Sequence, residues 1–175
     1  MSGQPRFICD AMLGGLARWL RAAGYSACFD VHIADGELVR RALEEDRCLL
    51  TSDGGVMERY AVAEGIVRSV FVPRGLDTLQ QLAVVLGRLG LPLRQSRCMV
   101  CDAPLADVPL ARVQQMVPER VRATCRRFFL CTGCGRLYWR GTHWQSIRRR
   151  LARAERLSVG YRPGGPSARG RKQAR

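Results

Sequence analysis

The stretch RFICDAMLGGLARWLRAAG, residues 6–24, changes its hydrophobic period at Asp10. Before that point Phe7, Ile8 and Cys9 form an unbroken apolar run, the composition of a strand buried on both faces. After it, Leu13, Leu16, Ala17 and Leu20 recur at the spacing of one helix face, and Gly24 is placed to end the helix. The same alternation continues downstream. ACFD (27–30), CLLT (48–51) and SVFV (69–72) read as strands, and DGELVRRALEED (35–46), GGVMERYAVAEG (54–65) and DTLQQLAVVLGRLG (77–90) read as helices. In the first of these helices Asp35 reads as the N-cap, with Leu38, Ala42 and Leu43 facing inward. In the last, Leu79, Leu82, Val85, Leu86 and Leu89 form the apolar face. Strand and helix in alternation predict an α/β fold with a mainly parallel sheet covered on both faces.

Charge divides the chain in two. Residues 1–90 carry ten arginines against eleven acids, a net of −1, whereas residues 91–175 carry nineteen basic residues against four acids, a net of +15. The second half is therefore the expected footprint for a polyanion such as RNA. LPLRQS (91–96) marks the join, giving a first domain over 1–92 and a second over 93–157. The latter ends in a basic amphipathic helix from Thr142 to Leu157, with Trp144, Ile147, Leu151 and Ala154 as its stripe. Residues 158–175, rich in Gly, Pro and Arg, read as a disordered basic tail. No apolar run approaches the roughly 18–20 residues of a membrane span, and the N-terminus has no signal-peptide pattern, so a cytoplasmic location is expected.

Eight cysteines in such a chain point to metal rather than disulfides. Cys9, Cys28, Cys48 and Cys125 stand singly and suit small buried positions. The other four form two pairs, Cys98-x2-Cys101 and Cys131-x2-Cys134. Two intervening residues let one tight turn aim both thiolates at a single ion, and two such turns complete a sulfur tetrahedron. Four thiolates leave no position for water, so the zinc expected here is structural.

The segment GRLYWRGTHW (135–144) interleaves Arg136, Tyr138, Trp139, Arg140 and His143 in the manner of a surface on which bases stack and phosphates pair. The same rings also suit the small core of a zinc ribbon, and Trp144, on the helix stripe, suits core. In the first domain, Asp10 and Asp53 follow strands, and Asp35 and Glu37 open the helix after another. Ligands of parallel α/β sheets bind at those carboxyl ends. Converging carboxylates there would hold Mg²⁺ or Mn²⁺ for phosphodiester hydrolysis. Each acid equally suits a purely local role. Asp10 and Asp35 could each cap a helix, Asp53 could make a turn, and Glu37 suits the positive end of a helix dipole. No Ser/His or Cys/His nucleophile pair competes, since His32 and His143 are the only histidines.

FICDAMLGGLARWLRAAGY, LLTSD, SRCMVCDAPL and FFLCTGCGRLYWRGTHW, in that order from Phe7 to Trp144, closely resemble the mut-seven C-terminal RNase family. The resemblance implies a PIN-like nuclease domain with an added zinc ribbon. Motif by motif, it puts Asp10 at the first-strand aspartate and Asp53 at the aspartate of a T-x-D motif. Either Asp35 or Glu37 falls at the intermediate acid, and Arg18 becomes a candidate phosphate contact. A fourth acid is not evident; Glu58 is a weak substitute. The implied activity is that of a Mg²⁺- or Mn²⁺-dependent endoribonuclease whose partner is RNA, with the ribosome or tRNA as settings. The alternative is a non-catalytic RNA- or ribosome-binding zinc protein.

Overall fold

A computed structural model of the protein describes residues 4–163. At its centre β1 (Phe7–Cys9) lies between β2 (Ala27–Phe29) and β3 (Cys48–Thr51), and β4 (Ser69–Phe71) flanks β3. All neighbours pair in parallel, in the order β2-β1-β3-β4. Side chains alternate across the sheet, as the two-residue period of a strand requires. Phe7, Cys9 and Leu50 join one core, while Ile8 and Leu49 join another on the opposite face.

The first core is covered by α1 (Gly14–Ala22) and α5 (Thr78–Arg88), the second by α2 (Asp35–Glu44), α3 (Gly54–Met57) and α4 (Tyr60–Ala63). Asp77 caps α5 in a reciprocal capping box with Gln80, which fixes where that helix starts. The single helix expected over 54–65 is instead broken at Arg59, which is extended at φ −63°, ψ 135°. On one continuous helix Val56 and Val62 would point about 120° apart at 100° per residue. The break lets both enter the same core. Asp35 is not the N-cap of α2: that position is Ala34, and Asp35 is the first helical residue, where its charge suits the helix dipole. Leu43, expected inward, is 52% exposed. It lies about 140° round the helix from Leu38, against about 40° for Ala42.

The chain then builds a second sheet, antiparallel in the order β5-β6-β7, from β5 (Leu105–Val108), β6 (Phe128–Cys131) and β7 (Leu137–Trp139). Between β5 and β6 run α6 (Leu110–Val113) and α7 (Glu119–Thr124), closing a small core around Val108, Val113, Cys125 and Phe128. The last helix, α8 (Thr142–Ser158), leaves this sheet and returns to the first core. There Ile147, Leu151 and Ala154 pack with Leu82 and Leu86 of α5. Gly87 permits the approach: a Cβ there would collide with the Ser158 carbonyl and lie 2.8 Å from Tyr161 Cβ. The basic helix expected with the cysteine-bearing half is thus a layer of the first core. Residues 158–161, expected to be disordered, end α8 and form a 3₁₀ turn whose Tyr161 packs on that core. Arg162 and Pro163 follow this turn, and residues 164–175 of the expected tail lie outside the described residues. Among the described residues no helix is long and apolar enough to cross a membrane.

Candidate functional site

Asp10 follows β1 directly, and Asp53 stands two residues after β3, so the parallel pairing of β1 with β3 brings both to one end of the sheet. Asp10 is 91% buried and almost fully engaged. One carboxylate oxygen accepts from Met12 N at 3.0 Å; the other accepts from Thr51 Oγ1 at 2.7 Å and Ser52 N at 2.8 Å. Thr51 Oγ1 in turn accepts from Asp53 N at 2.9 Å. One hydroxyl therefore orients both aspartates. A carboxylate has about four lone-pair sites, so Asp10 keeps one acceptor direction beyond these three bonds.

Asp53 caps α3 through Gly55 N and lies 3.6 Å from Arg74, whose Nε also donates to the Ser52 carbonyl. Asp35 lies 3.6 Å from Arg59. Glu37 turns to Arg40, which donates to both its oxygens at 2.6 and 2.8 Å and holds its carboxyl below the usual range. Glu58 is exposed. No three of these acids bring their oxygens within 4.8 Å of one another. Asp10 and Asp53 are linked through the Thr51 hydroxyl, which meets the carboxylate of one and the backbone amide of the other; Asp35 and Glu37 pair instead with Arg59 and Arg40. Two carboxylates with hard oxygen donors still fit Mg²⁺, which proteins hold by one or two carboxylates, water and substrate phosphate. Arg59 and Arg74 carry no pattern in the sequence that sets them beside these acids, and Thr51 shows only as the first residue of T-x-D.

The second place is the cysteine cluster. The Sγ atoms of Cys98, Cys101, Cys131 and Cys134 all lie within 4.8 Å of one another. Cys98 to Cys134 is 3.7 Å and Cys101 to Cys131 is 3.3 Å. A tetrahedron with metal–sulfur bonds of about 2.3 Å has edges of about 3.8 Å, so the donor set fits a four-thiolate metal ion. Burial opposes the charge on Cys98. The Tyr138 hydroxyl at 3.1 Å and the amides of Cys101 and Val100 outweigh it and bring the thiol down to about 6. Arg21 anchors the first turn of this cluster: its Nη1 donates to the Met99 and Val100 carbonyls and its Nε to that of Ala27.

Of the six residues expected to contact RNA, Tyr138, Trp139, Arg140 and His143 line one groove of about 1080 Å³ beside the second sheet. Arg18 and Arg136 are exposed elsewhere. Tyr138 shares its role, since its hydroxyl is held at Cys98 while its half-buried ring lines the groove. Arg94, Arg97, Arg120 and Arg127 of the same groove carried no sequence signal beyond the basic composition of this half.

Comparison with known proteins agrees with this layout. The chain is 35% identical over 105 residues to the human exonuclease mut-7 homolog, covering 55% of this chain and 12% of that protein. It is similar to the cysteine–tRNA ligases of Cupriavidus taiwanensis and Cupriavidus pinatubonensis, at 35% and 39% identity over 77 residues, 41% of this chain and 17% of each ligase. The chain thus spans a small part of the curated relatives it matches. No solved structure matches. A family model described as the Mut7-C RNAse domain matches residues 5–151, taking in the parallel sheet, both aspartates, all four clustered cysteines and most of α8. The chain belongs to the Mut7-C RNase domain family.

Proposed function

We propose that the protein is a Mg²⁺- or Mn²⁺-dependent endoribonuclease that holds RNA through its basic, zinc-stabilised half. The observation that carries the reading is the Asp10–Thr51–Asp53 linkage at the carboxyl edge of the parallel sheet. Asp10 and Asp53 would hold the ion, which supplies an activated water and charge stabilisation at phosphorus. Asp35 is favoured over Glu37 as the third acid, because Glu37 is tied to Arg40 while Asp35 has only a long contact with Arg59. Arg59 and Arg74 place positive charge beside the acids, where a substrate phosphate would meet it.

Zinc is the metal we assign to the four cysteines, on the match of thiolate donors and spacing. Sulfur alone surrounds it, so its role is to fold the β5–β7 sheet. We place the protein in the cytoplasm, where thiolates stay reduced. The family's description as an RNase domain and the names of the two tRNA ligases support RNA as the substrate class, with tRNA or ribosomal RNA as candidates.

A second reading, a non-catalytic RNA-binding zinc protein, is favoured by one observation: no three carboxylates converge. Circular and linear labelled RNA, incubated with Mn²⁺, with Mg²⁺ or with neither, distinguish the two. The nuclease reading expects metal-dependent opening of the circle by the wild type and none by Asp10→Asn or Asp53→Asn. If the wild type binds both RNAs and cuts neither, the second reading replaces the first.

A further inference from the structure

The groove beside the second sheet is built for more than general attraction to phosphate. No carboxylate lines it, whereas Arg94, Arg120 and Arg140 do, and none of these three has an ion-pair partner among the described residues. Two further arginines of the wall are already committed, Arg97 to Asp102 and Arg127 to Asp107. The side chains of Trp139 and Trp144 line the same space.

Trp144 supplies the decisive feature. Its ring packs partly against the first core, but its Nε1 is buried without any hydrogen-bond acceptor. Among the described residues it is the only buried side-chain nitrogen or oxygen left in that state. Buried donors are rarely left unmatched, and an indole N–H can only donate. Closed off as the ring now sits, that N–H is completed by an acceptor in the groove once the partly exposed ring of Trp144 turns toward the space the residue lines. The start of α8 lines the groove as well, through Gly141, Thr142 and His143: Gly141, the N-cap, has no side chain to satisfy the first amides, and the helix runs for seventeen residues.

We infer that this groove receives one unstacked nucleotide of a single-stranded RNA, its base against Trp139 and hydrogen-bonded to Trp144 Nε1. Its phosphate lies among Arg120, Arg140 and the first turn of α8. The inference rests on RNA being the partner, as proposed above, but not on cleavage. A duplex cannot present a base in this way without unstacking it, so the groove selects single-stranded segments. Trp144 then serves the helix stripe and the ligand at once, which is why its spacing alone suggests only a core role.

The chain has three tryptophans, Trp19, Trp139 and Trp144, so its indole N–H signals can be followed one by one in a ¹⁵N spectrum, assigned with Trp→Phe variants. The zinc-loaded full chain is titrated with an eight-nucleotide single-stranded RNA without added Mg²⁺ or Mn²⁺, and binding is followed in parallel by anisotropy. The expected result is a large shift of the Trp144 signal, a smaller one for Trp139 and the least for Trp19. Trp144→Phe, which keeps an aromatic ring and loses the donor, should weaken binding about fivefold or more, and Arg120→Ala/Arg140→Ala at least as much. A Trp144 signal that stays in place at saturation overturns the inference, as does a duplex of equal length that moves it equally. RNA that saturates elsewhere, or metal-dependent cleavage by a Trp144→Phe protein with unchanged affinity, removes the groove and leaves the nuclease reading standing. Failure to cleave with the shifts intact does the reverse.

Discussion

Arg21 Nη1 donates to the carbonyl oxygen of Val100 at 2.9 Å, so a side chain of α1 grips the backbone between Cys98 and Cys101. Arg21 is 93% buried, and its guanidinium also serves Ala27 and Met99, while Asp102 lies 3.9 Å from its Nε. Arg21→Ala leaves one buried carbonyl, that of Ala27, and two part-buried ones without this donor. It should cost about 3 kcal/mol in urea unfolding and speed zinc transfer to a chromophoric chelator. Arg21→Lys, lacking the planar fork, should recover less than half of that loss. Equal chelation rates in wild type and Arg21→Ala would mean that the cysteine turn holds its shape unaided.

The acids at the sheet edge separate by their present partners. Asp35→Asn should reduce metal-dependent cleavage by about tenfold or more if Asp35 completes the site. Glu37→Gln should leave it within about twofold, since that carboxylate belongs to a surface pair with Arg40. Cleavage rates under single-turnover conditions give the comparison; the reverse ranking would exchange the two roles.

Thr51→Val keeps the shape of the threonine and removes the hydroxyl shared by Asp10 and Asp53. A stability loss of about 1–2 kcal/mol is expected, from one lost bond to a charged group and one unmet amide. Cleavage should fall by at least about tenfold because the Asp10 carboxylate loses a donor and the backbone that carries Asp53 loses its anchor. Thr51→Ser should restore most of it.

Tyr138→Phe tests the hydrogen bond to Cys98. The folded-state pKa of Cys98 is depressed from an ordinary 9.0 to about 6, so this thiolate's stabilisation is present above the ordinary value and is lost as pH falls through about 6. Without the phenol the value moves up. The pH at which half the zinc is lost should then rise by up to about one unit, and more protons should be released on zinc binding at neutral pH. Calorimetry in buffers of different ionisation enthalpy counts those protons.

Salt dependence reports the arginines. Three arginine contacts to single-stranded RNA predict a log–log slope of affinity against salt of about −2, from about −0.7 per phosphate. Arg140→Ala should lower its magnitude by about 0.7, whereas Arg18→Ala, outside the groove, should leave it unchanged.

What could be read in the chain beforehand followed from short-range patterns. The apolar runs Phe7–Cys9 and Cys48–Thr51 announce buried strands, and the spacing of Cys98 with Cys101 announces a metal turn. The stripe on α8 shows that a face must be covered, but not that α5 covers it. Periodicity records the need and is silent on the partner. The break at Arg59 leaves no local mark because Val56 and Val62 each fit a helix, and only their shared core rules out a continuous one. Thr51 with Asp10, Tyr138 with Cys98 and Arg21 with Val100 are contacts across 41, 40 and 79 positions of chain, which no local pattern encodes.

The return of α8 to α5 makes the chain nested rather than sequential. The chain from Pro104 to Gly141 is an excursion that builds the second sheet before α8 comes back to the first core, while Leu91, Leu93 and Met99 on the way out still pack on that core. A backbone nick in the 3₁₀ turn Gln114–Met116 would therefore yield two fragments that stay joined through the α5–α8 seam and the shared metal. Neither fragment holds a complete metal site, because each brings one cysteine pair. The excursion thus offers a place where this protein can be split and its reassembly made to depend on zinc.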